Sequence, residues 1–466
     1  MLFTSAGFMF LFLPVALAAF YLTPVRFRRY LLLAVSLAFY LLANLRTPLA
    51  IPLLPAVAVG THFLGKWAAK SERAGIISAV SCGGFVAVFL VLRVVSDNVA
   101  NAYFPLGAAI WLLACGSYVV DVARRDAEPA GLFDTLLYIC FFPVMGAGPV
   151  IKYKDFVRYC ADMQFTVNNF AYGVKMFALG AVERLAVAAV LLEGYKRIIE
   201  TGNNVPDLTF GIIASVFIFF SMYFAFAGWT DMGVGVAAMF GIRLERDCEG
   251  ALWACSPARY FSRFLKGLSG WIDDYVVRPA LGMCHLAGSA WGEALAAALT
   301  VICMALWINT SVAMLCMGVV AAIIVLVLNI TGAEQLMNDV KATRIIGFFL
   351  TFVSVSLFWT AGAADSLGSF LTLLNEVSFT ARDYHIYYVY IVMAGRKYLI
   401  TAIAALILAP LTCFGRRITD KLSDKLAGAL EACATIALLV AFVFTIVYCM
   451  PQFPQYALRA FEYFIF

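Results

Sequence analysis

Charge is scarce in this chain. Asp, Glu, Lys and Arg make up 13% of its 466 residues, against about 25% in an ordinary soluble domain. Histidine is rarer still, with three copies. The net charge of +5 is modest and no basic block is long, which argues against nucleic acid as a partner. The twelve cysteines form no C-x-x-C pair and stand singly, mostly in apolar stretches. That argues against a metal cluster or disulfide framework and reads them as small packing residues. No repeat, low-complexity tract or separable soluble domain is present.

What the chain does have is hydrocarbon: 64% hydrophobic residues and a mean hydropathy of +0.91. Crossing a bilayer core of ~30 Å takes about 20 mainly apolar residues, and on the order of ten or more such runs occur here. The sequence therefore predicts an all-α polytopic membrane protein. Residues 1–466 are expected to form one transmembrane domain, with N-terminal helices over 1–130, a core over 131–320 and C-terminal helices over 321–466.

The first run, 6–22, lacks a basic start and contains Pro14, so it reads as a retained helix rather than a cleaved signal. Runs at 30–45, 48–63, 76–95 and 105–122 follow. Arg26, Arg28 and Arg29 come after the first, Lys66, Lys70 and Arg73 after the third, and Arg124 and Arg125 after the fifth. Because Lys and Arg collect on the cytoplasmic side, this alternation puts the N-terminus outside the cytoplasmic membrane. Residues 132–151 are apolar but broken by Pro143, Gly146, Gly148 and Pro149. Freed backbone groups at membrane depth need cover from protein or a water-filled cavity, so a kinked or re-entrant segment lining a cavity is expected. The run at 167–192 carries Lys175, Glu183 and Arg184, which point either to a bundle interior or to an interfacial helix end.

Runs at 209–229 and 232–240 lead into the most polar part of the core. Over 260–278, Arg263, Lys266, Asp273, Asp274 and Arg278 alternate with Phe261, Phe264, Leu268, Trp271, Ile272 and Tyr275. That charge density is too high for lipid, and the helical spacing of the apolar residues predicts one or two helices at the cytoplasmic interface. Further spans are expected at 293–307, 311–330, 345–361, about 387–411, and 430–450.

Several short motifs recur in a fixed order: Leu11-Phe12-Leu13-Pro14; Pro105-Leu106-Gly107 with Ser117-Tyr118-Val119-Val120-Asp121-Val122; Phe141-Phe142-Pro143 with Gly146-Ala147-Gly148-Pro149 and Tyr153-Lys154-Asp155-Phe156; and Gly228-Trp229-Thr230-Asp231-Met232 with Met239-Phe240-Gly241. Together they resemble the membrane-bound O-acyltransferase (MBOAT) family. The similarity is greatest to its bacterial branch of alginate O-acetylation membrane proteins, with the teichoic-acid D-alanyl transfer protein as a cousin. The resemblance implies a helical bundle with broken and interfacial helices around a central funnel, in the bacterial inner membrane. It also implies an acyl thioester donor, such as acetyl-CoA or an acyl carrier, and an acceptor or partner on the outer side. That partner would be a companion acyltransferase or an extracytoplasmic SGNH-type acyltransferase. Membrane lipid is the other expected partner, and no bound cofactor or metal is expected.

The same resemblance marks what is missing. Two family histidines, the second regarded as the base, fall on Leu265 and Ile308, beside Trp307 and Asn309. The family's Asp and Ser in Y-F-D-F-S-G-Y are Ala225 and Ala227, and the polar patch after P-L-G is Ile110-Trp111-Leu112-Leu113. Neither Leu nor Ile exchanges a proton, and losing a general base costs about 10²–10⁴ in rate. The substitute bases on offer are His62, His285 and His385, with His285 foremost for its nearness in sequence to the polar segment. The funnel residues expected from the pattern are Asp231, Arg263, Lys266, Trp271, Asp273, Asp274, Tyr275, Trp307 and Asn309. Asp273 and Asp274 read as partners of Arg263, Lys266 or Arg278 rather than as acids or bases.

The reading is a degenerate, noncatalytic member of an envelope-polysaccharide O-acylation system, acting as scaffold or as donor- or lipid-binding partner. Two rivals stand beside it: an active acyltransferase with a relocated base such as His285, and a conduit for lipid or small metabolites.

Overall fold

The computed structural model describes residues 2–45, 47–98, 104–163, 165–202, 208–286, 288–364, 366–376, 396–419 and 424–449. Every regular element among them is a helix. Six are long and apolar enough to cross a membrane: 74–96, 211–239, 290–308, 312–330, 341–363 and 428–449. Two shorter apolar stretches lie at 8–22 and 132–146. The count therefore stays below the ten or more expected. Helices such as Arg28–Ala43, at 16 residues, and Ala108–Arg124, at 17 residues, are shorter than the ~20 residues a perpendicular crossing needs. Half of the expected span at 387–411 lies outside the described residues.

The runs at 209–229 and 232–240 are one helix, Leu208–Met239, of 32 residues. At 1.5 Å per residue it is about 48 Å long. No proline or terminal cap falls between Trp229 and Met232, so nothing ends the helix there.

The chain gathers into two compact units, one of residues 1–177 with 230–246 and the other of 178–229 with 247–465. In the first unit the broken segment sits where the prolines and glycines put it. Helix Leu132–Ile139 stops, the backbone turns at Cys140 and Phe141, and a six-residue helix, Phe142–Ala147, starts with Pro143 in its first turn. Its exposed backbone groups are taken up by side chains. Ser36 Oγ accepts from the Phe142 N–H at 3.3 Å, and the Tyr138 hydroxyl donates to the Ile151 carbonyl at 2.8 Å. Gly233 lies against it so closely that a Cβ there would stand 2.4 Å from the Gly148 Cα, which explains the small-residue run after Asp231.

The motif around Ser117 and Asp121 has an equally local cause. One turn apart on helix Ala108–Arg124, they share a face. They receive the first N–H groups of helix Tyr153–Ala161: Tyr153 N–H to Ser117 Oγ at 2.8 Å and Lys154 N–H to Asp121 Oδ2 at 2.9 Å. Helix starts leave such donors unsatisfied, so this pair caps one helix from another. Phe3, Phe8, Phe12, Phe39 and Phe142 form the adjoining ring cluster.

In the second unit, helices Ala290–Ile308 and Val312–Ile330 form a hairpin. A link of only three residues makes them antiparallel neighbours. Ser289 and Ser311 cap their N-termini, accepting from Gly292 N–H and Met314 N–H. Helix Lys341–Ala363 packs on the second arm.

Candidate functional site

The polar segment of the second unit folds as a chain of short helices. Pro257–Arg263 is capped by Ser256, whose Oγ accepts from the Arg259 N–H at 3.1 Å. Phe264 leaves the helix and Leu265 turns left-handed, with φ 51° and ψ 55°. Helix Lys266–Ile272, a π turn over Asp273–Val277, and helix Arg278–Met283 follow. Leu265 has no side-chain acceptor to offer the new helix. Asp247 supplies it from outside: its buried carboxylate accepts from the Gly267 N–H at 2.6 Å.

Around this turn the interior is aromatic. Phe264 stacks on Tyr260 at 5.3 Å and meets Trp359 at 5.5 Å and Phe226 at 5.4 Å, measured between ring centroids. All four rings are buried, Leu265 is 5% exposed and Ile308 is 1% exposed. Helices Lys266–Ile272 and Ala290–Ile308 pack together. The two positions where the resemblance expects histidine are thus on adjoining elements, both buried and both hydrocarbon.

The other expected residues divide between structure and surface. Trp271 and Tyr275 are buried and meet edge to face at 5.2 Å. Asp273 takes Arg278, Oδ2 to Nε, at 2.7 Å, and Arg278 forks onto both carboxylate oxygens of Glu293 at 3.0 and 3.1 Å. These bonds hold the Arg278 guanidinium above its ordinary value, Glu293 contributing most. Asp274 is half-buried, while Arg263 and Lys266 are exposed, Arg263 reaching the Gly250 carbonyl at 3.4 Å. Trp307 is half-buried, and Asn309 ends its helix by donating to the Gly362 carbonyl at 3.2 Å. Asp231 belongs to the first unit, buried and bound through both oxygens by Arg246.

The histidines are dispersed. His62 is buried in the first unit with Nδ1 3.0 Å from Thr135 Oγ1. His285 stands on an exposed turn in the second, with φ 57°, where helix Arg278–Met283 ends. His385 lies outside the described residues.

Sequence reading passed over three charged residues that do structural work here: Arg246, Asp247 and Glu293. The signal available was the charged run 243–249 directly after a long apolar stretch. Arg184, read as an intramembrane charge, is buried within a π-helical turn, Val182–Ala188. Its Nη1 donates to the Ala225 carbonyl at 3.0 Å and its guanidinium lies 4.2 Å from the Trp229 ring centroid. It therefore packs against the stretch where Ala225 and Ala227 replace polar residues.

Residues 65–370 match the model of MBOAT, the membrane-bound O-acyltransferase family. The chain belongs to that family. The match covers the motifs from Pro105 onward and runs past Gly318 into the helices that follow the hairpin. Among curated MBOAT relatives, the chain is 27% identical over 292 residues to the probable alginate O-acetylase AlgI of Pseudomonas fluorescens, covering 59% of this chain and 56% of that one. To the probable alginate O-acetylase AlgI of Pseudomonas aeruginosa it is 26% identical over 401 residues, 79% and 73% of the two chains. To the peptidoglycan O-acetyltransferase of Helicobacter pylori it is 22% identical over 335 residues, 60% and 62%. The chain thus spans from a little over half to about three quarters of these MBOAT relatives' lengths.

Proposed function

We propose that this MBOAT protein is a membrane component of a bacterial envelope-polysaccharide O-acylation system, of the acetylating kind, and that it works there without the family's histidine chemistry. In this reading it is a scaffold or a donor- or lipid-binding partner in the inner membrane, with its N-terminus outside. The donor of the system is an acyl thioester such as acetyl-CoA. Its companion is a second acyltransferase, either in the membrane or an SGNH-type protein on the outer side. The whole chain acts as one transmembrane domain of ten or more spans around a funnel. The names of the relatives, which refer to alginate and peptidoglycan acetylation, support the substrate class.

One observation carries the noncatalytic part. Leu265 and Ile308 are buried side chains, not groups facing an open polar cavity, and Leu265 follows directly on the packed rings of Tyr260, Phe264 and Trp359. Neither side chain takes up a proton, so an attacking hydroxyl has no acceptor at either position.

The test is an acyl-transfer and donor-hydrolysis assay with acetyl-CoA on the purified full chain, its Ile308→His variant and its His285→Ala variant. No turnover by the parent chain is expected, and none to be lost in His285→Ala. Turnover that Ile308→His does not raise and that His285→Ala abolishes would replace this reading with a rewired enzyme.

A further inference from the structure

In the first unit the broken segment encloses a cleft that the acylation reading leaves unused. Its walls are Trp111 and Ala114 from helix Ala108–Arg124, Tyr138 and Phe141 at the break, Met145 from the short helix, and Ile151 beyond it. The cavity volume is about 10 Å³, enough for one water-sized group. Trp111 is 1% exposed, and its indole N–H has no hydrogen-bond partner in the protein. The helix is pinned in register by Gly107, whose φ of 74° begins it and whose missing Cβ makes room for Met145. Trp111 and Ala114, three residues apart, lie on one face.

A buried donor without a partner costs about 1–3 kcal/mol, so an occupant with an acceptor is favoured. A lone water is poorly served here, since a buried water makes about three hydrogen bonds. The walls are nearly all hydrocarbon, and the Tyr138 hydroxyl proton is already given to Ile151. An acceptor atom on an apolar body matches both the donor and the walls. We propose that this cleft binds an acyl carbonyl, the C=O of an ester or thioester, with Trp111 Nε1–H donating to its oxygen and the attached chain leaving along Ala114. The proposal rests on the reading of the chain as a donor- or lipid-binding component and names the chemistry that such binding uses. Membrane lipid esters and an acetyl thioester both present this group.

The experiment is equilibrium binding to the purified full chain in detergent, in three arms: a short-chain diester phosphatidylglycerol, its diether analogue without carbonyls, and acetyl-CoA. Trp111→Phe keeps most of the ring and removes the donor. One hydrogen bond is worth about 0.5–1.5 kcal/mol, so the variant should weaken one carbonyl ligand by roughly 2- to 12-fold and leave the diether unchanged. Loss in the diester arm assigns the site to lipid, and loss in the acetyl-CoA arm assigns it to the donor. Equal loss for diester and diether, no change in any arm, or density for an ordered water alone would overturn the proposal. Should Trp111→Phe fail to fold, Ala114→Leu narrows the same cleft from a half-buried position and must weaken diester binding. No turnover is read in any arm, so this proposal and the noncatalytic reading fail separately.

Discussion

Leu265 should break the usual ranking of alanine over glycine. Its side chain is 5% exposed and its backbone is left-handed, with φ 51°. Truncating a buried leucine to alanine costs about 2–5 kcal/mol, and alanine keeps the Cβ that makes the left-handed region unfavourable by about 1–2 kcal/mol. Glycine loses the same packing but removes that penalty. Against this, glycine adds freedom to the unfolded chain worth about 0.4–1 kcal/mol. The difference leaves Leu265→Gly ahead of Leu265→Ala by about 0.5–1 kcal/mol, with both below the parent. Inside a regular helix the order would be reversed by a similar amount. The assay is the unfolding midpoint of the three proteins in mixed micelles of a mild and a denaturing detergent. An alanine variant as stable as the glycine variant would refute the left-handed turn, and with it the account of how the polar segment is bent.

Asp231→Ala leaves Arg246 buried without its carboxylate and should cost about 3–5 kcal/mol, whereas Asp231→Leu with Arg246→Met should restore most of the loss. The same micelle titration reads both, and a double variant no better than the single one would sink the idea of an uncompensated charge. Arg278 is half-exposed, with 48% of its side chain open, so Arg278→Ala should cost no more than about 1 kcal/mol despite three carboxylate contacts. Its folded-state pKa is raised by Glu293 and Asp273, so its contribution is complete below the unfolded value and disappears only above it. Between about pH 6 and 10 the parent-minus-Arg278→Ala stability difference should therefore be flat, since unfolded arginine titrates above about 12. A difference that falls within that window would remove Arg278 from the ion network.

Much of the fold was legible because the relevant signals are local. Pro143 and Gly148 break a helix wherever they stand, and the segment they punctuate is broken in the structure. Ser117 and Asp121 stood out as a motif, but their role did not, because the N–H groups they cap lie 33 and 36 residues away. The same distance in sequence hid Asp247, which serves Gly267 twenty residues on. The number of crossings was overread because apolar runs count hydrocarbon, whereas a helix ends where its caps are. Tyr30 to Leu45 reads as a span, yet its helix closes at Ala43 after 16 residues.

The left-handed turn at Leu265 also bears on how far the missing chemistry can be restored by one substitution. Histidine, asparagine and aspartate occupy that backbone region more readily than leucine does, so the turn suits the residue the family carries better than the one found here. It persists because it is held by groups that need no imidazole: the Asp247 carboxylate on Gly267 and the Phe264 ring on Tyr260. At 308 the case differs, since Ile308 lies within an ordinary helix and is 1% exposed. An imidazole placed there brings two nitrogens into a site now filled by hydrocarbon, and each left unpaired costs about 1–3 kcal/mol. Ile308→His should therefore lower the unfolding midpoint before it yields turnover, and regaining activity requires an opened cavity as well as a base.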